Sequence, residues 1–274
     1  MAYPQVPAPY GYKPVNLIGG QVFSGSTRNV AIQYNYATAI GYGDAVKEVN
    51  GFVTRALIAS ATTANQVTGV FLGCYYTNPS TKQRIWSQYY PGGVLAGDIT
   101  AIISDDYDVV LKAAACSATT VIGSVAQAMI GSNVGGIANT VNIANGDSLA
   151  AVLVPTALST ATLPFRVVDI VRDSAVNLGT VTFASGASTT LTVSALPFAL
   201  PVGADVSTLD ATGQLIQSGS YVSAAATAGA TSVTINAAPT TAFVASSTMV
   251  FTQYPEVLVK FNIGYHGYTS ATAV

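Results

Sequence analysis

Charge is what this sequence has least of. Lys, Arg, Asp and Glu make up 8% of its 274 residues, against about 25% in a typical globular chain. Between Asp173 and Glu256 the only charged side chains are Asp205 and Asp210. The 10 basic and 12 acidic residues are scattered singly and leave a net charge of −2. That excludes the clustered basic face a nucleic-acid partner requires. Histidine occurs once, as His266, and the two cysteines, Cys74 and Cys116, stand far apart. A zinc site of the usual nitrogen and sulfur ligands therefore lacks its ligand set. No serine sits in a G-x-S-x-G elbow, and the glycines at 131–136 lack the Lys-Ser/Thr ending of a phosphate loop. With charges this sparse there is little from which to build a tuned acid–base pair, so no enzyme, cofactor or metal is expected. The uncharged stretches at 113–146, 174–204 and 211–255 are broken by Gly, Asn, Gln, Pro or Ser. None offers the roughly 20 mostly apolar residues of a membrane helix, and no membrane partner is expected. The opening residues Met1 to Pro4 lack the basic and apolar regions of a secretory signal, so synthesis without export is expected.

What is present is apolar, small and aromatic. Half of the chain is hydrophobic, with 25 Gly and 15 Tyr, and the mean hydropathy is +0.46. Mixed surface charge ordinarily keeps a protein dissolved and monomeric. A chain that omits it is expected to cover much of its surface with other subunits. Short alternating runs with turn punctuation predict strands: 28–32, 44–49 before the hairpin dipeptide Asn50-Gly51, 67–76, 84–89 and 99–103. The run 113–130 carries Val121, Val125, Ala128 and Met129 at approximate helical spacing and predicts one short helix. A strand is expected near 149–154.

The charge-bearing runs 163–173 (LPFRVVDIVRD) and 256–263 (EVLVKFNI) predict two strands that pair in the main domain, whereas everything between them differs in composition. Within that interval GASTTLTV at 186–193 resembles GATSVTI at 229–235. The fold expected is mainly β: a small β-barrel or meander main domain with one short helix, over 17–174 plus 254–274. To it are added an inserted β-sandwich-like module at 175–253 and an extended Pro- and Tyr-rich arm at 1–16. Proline fixes φ and removes an amide donor, which disfavours a helix or central strand in the arm.

Tyrosine combines large contact area with low entropy cost. The expected interface set is Tyr3, Tyr10, Tyr12, Tyr36, Tyr42, Tyr75, Tyr76, Tyr89, Tyr90, Tyr265 and Tyr268. His266 is expected to be structural or interfacial. Asp105, Asp106 and Asp108 read as a solvated turn, with a calcium loop as the alternative. Whether Cys74 and Cys116 pair stays open, buried free thiols being the commoner state.

Several motifs together resemble a family of tailed-bacteriophage virion proteins of the marine and cyanobacterial phage type. They are YGYKPV at 10–15, Gly20, Ser26-Thr27-Arg28, YATAIGYGDAVK at 36–47, GVFLGCYY at 69–76, WSQYYP at 86–91, Asp105-Asp106, and the runs at 163–171 and 256–262. The resemblance spans most of 10–172 and 254–270 and leaves out 175–253, which looks like a module appended to a virion surface. It implies a capsid decoration or cement protein of the virion, made in the host cytoplasm and bound to the outside of the head. Its implied partners are the major capsid protein and itself, as a homotrimer, with host-surface contact through the insert. The family brings no catalytic residues. Two other readings stay open: a tail, neck or baseplate component, and an adhesin-like carbohydrate-binding β module. Against the last, sugar platforms usually present exposed Trp, and this chain has Trp86 alone.

Overall fold

The structure, a computed structural model, describes residues 6–56, 58, 66–154, 163–209, 215–239 and 245–268. Across them strand follows strand. The first stretch holds β1 (Lys13–Leu17), β2 (Arg28–Ala31), β3 (Ala45–Val49), β4 (Phe52–Arg55), β5 (Gly69–Thr77), β6 (Arg84–Ser87) and β7 (Thr100–Ser104). Next come β8 (Val109–Ala118), β9 (Val121–Ile122), β10 (Asn133–Ile137), β11 (Ala151–Leu153) and β12 (Phe165–Ile170). Then β13 (Val176–Ser185), β14 (Thr190–Val193), β15 (Asp205–Leu209), β16 (Leu215–Ala224), β17 (Ser232–Ile235) and β18 (Thr248–Gln253) lead to β19 (Glu256–Phe261). The fold is mainly β.

The helix expected over 113–130 is not formed. Most of that run is the central strand β8, the bend-bounded β9 and a single 3-10 turn at Gln127–Met129. The reason lies in the burial of β8 on both faces, where Ala113, Ala114, Ala115 and Cys116 are all wholly enclosed. A strand covered on both sides reads as a continuous apolar run and loses its period of two.

β8 organises the first sheet. It pairs in parallel with β11, which pairs with β10, then β12, then β19, and β19 returns to β8. That ring of pairings encloses Leu111, Ala113, Val152, Phe165, Val167, Val259 and Phe261. The two charge-bearing runs are therefore hydrogen-bonded neighbours, Phe165 opposite Phe261 and Arg166 opposite Lys260. β1 lies along the first half of β8, from Lys13 opposite Lys112 to Leu17 opposite Val109.

The second sheet runs β2-β7-β5-β3-β4, with β6 on the far half of β5, and it curls until β2 and β4 touch. Its hollow side holds Val30, Ile40, Phe71, Cys74, Tyr90 and Ile103. Asn50 and Gly51 close the β3–β4 hairpin with φ of 51° and 80°, the signature of a type I′ turn. Beside it the buried Arg55 guanidinium pairs with Asp44 at 2.9 Å, and Asp44 also accepts from Ser148 Oγ at 2.6 Å.

The third unit is a closed barrel, β13-β14-β17-β16-β15-β18, around Phe183, Leu191, Val233, Met249 and Phe251. The two similar segments are partners within it: β14 and β17 pair directly, Leu191 opposite Val233. The barrel meets the first sheet at residues 123–124. Gln253 Nε2 donates to Gly123 O at 2.9 Å, Tyr254 N donates to Ser124 Oγ at 2.8 Å, and Ser124 N donates to Val202 O at 3.0 Å.

The described part of the expected N-terminal arm packs on its own chain. Val6 is buried, and Tyr12 is enclosed completely, stacking on Phe165 at 4.5 Å and donating its hydroxyl to Ala151 O at 2.7 Å. A large ring whose one polar atom finds an acceptor inside a barrel stays there. Gly11, at φ 81°, permits the approach, since a Cβ would stand 2.9 Å from both Gly43 O and Ser148 Cβ. Residues 1–5 lie outside the described residues.

Candidate functional site

The eleven tyrosines expected at contacts divide by burial rather than gathering into one surface. Tyr12 and Tyr90 are wholly buried and Tyr76 nearly so, which makes them core residues. Tyr90 shows why: its ring fills the second core, its hydroxyl donates to Tyr36 O at 2.7 Å, and the same oxygen accepts from Val94 N. Tyr36 is half-buried, stacks on Tyr90 at 6.1 Å and accepts from Arg55 N. Tyr10 donates to Glu256 Oε1 at 2.6 Å, with Lys112 Nζ 3.2 Å from that oxygen. Tyr42 lies under the Lys13 ammonium at 3.9 Å, and Tyr89 packs against Gly146. Tyr75 and Tyr268 reach the surface, and Tyr268 bonds to Arg28 and Asp105. Tyr3 and the Tyr265 side chain fall outside what is described.

The acidic turn is tied up by protein groups. Asp105 pairs with Arg28, Asp106 Oδ1 accepts from Asp108 N at 2.9 Å, and Asp108 faces Lys260 at 3.8 Å. Among the described residues no group of His, Cys, Asp and Glu is placed to hold a metal ion. His266 is buried between the rings of Phe261 and Tyr268, at 5.3 and 5.0 Å, and burial pushes its pKa below the ordinary value. Cys74 and Cys116 are both buried free thiols, Cys74 within the second core. Burial pushes the Cys74 thiol up to about 12 and Cys116 to about 11, so neither offers a reactive thiolate. No helix among the described residues is long and apolar enough to cross a membrane.

Two exposed features stand out among the described residues, and of the residues that form them only Tyr75 belongs to the expected interface set. One lies where the β1 turn meets the end of β19. Ile18 is 43% exposed and Ile263 47%, and together with Val168, Arg166 and Lys260 they line a hollow of about 340 Å³. Val22, 79% exposed, follows in the same turn, which bridges back to Asn16. The signal for these residues was faint: an isolated β-branched side chain beside a glycine turn, Gly19-Gly20 in one case and Gly264 in the other. The other feature is the outward face of β5 and β6, where Tyr75, Arg84, Ile85 and Trp86 line a shallower hollow, also about 340 Å³.

No protein-family model matches the chain, and no curated protein matches it. The likeness to phage virion proteins thus rests on the motifs quoted above.

Proposed function

We propose that this chain is a structural virion protein that decorates and stabilises the outer face of a tailed-phage head through subunit contacts. The observation that carries the reading is the apolar end formed by Ile18, Val22 and Ile263. Covering what remains open of Ile18 or Ile263 is worth roughly 1 kcal/mol each. Arg166 and Lys260, two of the 10 basic residues, stand at its rim, where charge sets orientation and association rate. The low charge of the chain supports the same reading, because the barrel from β13 to β18 has almost no charged groups to repel a neighbour.

Electron cryo-microscopy of purified virions with this chain located in the density tests the reading. Density at capsomer junctions on the outside of the head is the expected result. Density confined to tail or neck reassigns the chain to that structure, and absence from particles overturns the proposal.

A further inference from the structure

We infer that the outward face of β5 and β6 is a saccharide-binding platform, with Trp86 stacking a pyranose ring and Arg84 and Asp98 holding its polar substituents. The inference is independent of the virion reading, and its site lies outside the β13–β18 barrel.

The geometry starts from an edge. Among the described residues β6 pairs only with β5, setting Trp86 opposite Tyr75 and Arg84 opposite Thr77. Alternate residues share a face, so Trp86 and Arg84 stand on the side of Gly73, Tyr75 and Thr77, away from the core that holds Cys74 and Tyr76. Gly73 has φ of 149°, and a Cβ there would stand 3.1 Å from Trp86 Cζ2. The indole therefore leans on bare backbone. Part of the ring is covered by β5 and the rest is open, leaving Trp86 64% exposed. The bland account, an aromatic side chain shielding a strand glycine, explains the covered part and not the open one.

Arg84 stands beside that open ring, and Asp98 lies across β5 on the same outward face. The Arg84 guanidinium lies over the Tyr75 ring at 4.2 Å, and among the described residues no carboxylate comes within salt-bridge distance of it. Its donors are oriented and unspent. Opposite Arg84, Thr77 anchors Asp98 through N at 3.1 Å and Oγ1 at 2.6 Å. Those bonds hold the Asp98 carboxyl below its ordinary range, so it stands ionised as an acceptor. One apolar plane with a fixed donor fork and a fixed acceptor suits a ligand with an apolar C–H face and a belt of hydroxyls. Specific sites have this composition, an apolar lining with few placed polar groups. A protein hot spot, by contrast, sits at the centre of a patch whose surroundings exclude water. Trp86 stands instead on an edge strand, in a shallow open hollow with Tyr75, Ile85 and the exposed Arg84 beside it.

Trp86 is the only tryptophan in the chain, so tryptophan emission, excited to the red of the tyrosine band, reports this platform alone. The full chain is titrated with chito-oligosaccharides, cello-oligosaccharides and oligogalacturonates while tryptophan emission is followed. A saturable change with at least one series is expected, with a dissociation constant on the order of 1 mM. The neutral and uronic series decide whether Arg84 meets a hydroxyl or a carboxylate. Arg84→Ala, which retains the fluorophore, is expected to weaken binding by about tenfold. Isothermal titration with Trp86→Ala is expected to show no binding. Emission unmoved by every sugar overturns the inference, as does unchanged affinity in Arg84→Ala combined with Asp98→Asn. Concentration-dependent burial of Trp86 in the sugar-free protein, seen as a blue shift with a rising sedimentation coefficient, also overturns it, because another copy then covers the face.

Discussion

Gly203 rests against the backbone carbonyl of Ser124, at φ 84° and so close that a Cβ would run into the oxygen. This contact joins the β13–β18 barrel to the first sheet. Gly203→Ala is expected to cost at least about 1–2 kcal/mol from the left-handed backbone alone, with the clash added. Calorimetry should show a lowered Tm, and hydrogen exchange should quicken first at residues 122–125 and 202–204. An unchanged Tm would mean that the junction tolerates a side chain and is looser than described.

Tyr12 separates a hydrogen bond from a filled volume. Tyr12→Phe removes only the donor to Ala151 O and is expected to cost about 1 kcal/mol. Tyr12→Ala empties the space against Phe165 and is expected to cost about 3–5 kcal/mol. Denaturant midpoints measure both. Equal effects would show that the hydroxyl, rather than the ring, secures this segment.

His266 makes stability depend on pH. Burial lowers its folded pKa below the ordinary 6.5, against the opposing pull of Asp105 and Asp106. The unfolded chain therefore binds this proton more readily, so stability rises with pH between the depressed folded value and 6.5 and is lost as pH falls through that window. Urea midpoints taken from about pH 7.5 down to about pH 5.5 should decline in the native chain. The decline should flatten in His266→Gln. A parallel decline in both proteins would assign the effect to carboxylates.

Native Cys74 and Cys116 should resist alkylation. With thiols held at about 12 and about 11 and both side chains enclosed, iodoacetamide should modify neither until denaturant is added. Mass spectrometry should then find both labelled. Rapid native labelling of Cys74 would reveal that the second core opens.

The apolar end can be poisoned without disturbing the fold. Ile18→Asp and Ile263→Asp change side chains that already face water, so Tm should move little, whereas binding to undecorated heads should weaken by about tenfold or more. Decoration at native affinity in the double variant would place the contact elsewhere.

How far the sequence could be read follows from what each residue type encodes. Apolar runs punctuated by charge, as at Arg166, Asp169 and Lys260, mark strands with one wet face, and β12 and β19 could be anticipated and paired, though not the irregularity between Val167 and Asp169. The likeness of 186–193 to 229–235 was visible, but not that the two segments pair with each other. β8 was misread because Ala fits either element and burial on both faces erases the period of two. Tyr12 was misread because proline-rich neighbours suggest an arm, and nothing local reveals an acceptor as distant as Ala151. Trp86 was counted against sugar binding for being single. The bare backbone its indole leans on is that of Gly73, a residue on another strand.

Strand order also sets an order of assembly. The ring of pairings around β8 needs β19, which lies beyond the whole of β13–β18 in the chain, whereas the latter barrel is contiguous. In a chain made from its N-terminus, the later barrel has all of its strands before the earlier one can close. Until Glu256–Phe261 is made, β8 and β12 wait with open edges, exposed to pairing with the wrong neighbour. The first barrel to begin is thus the last to be completed.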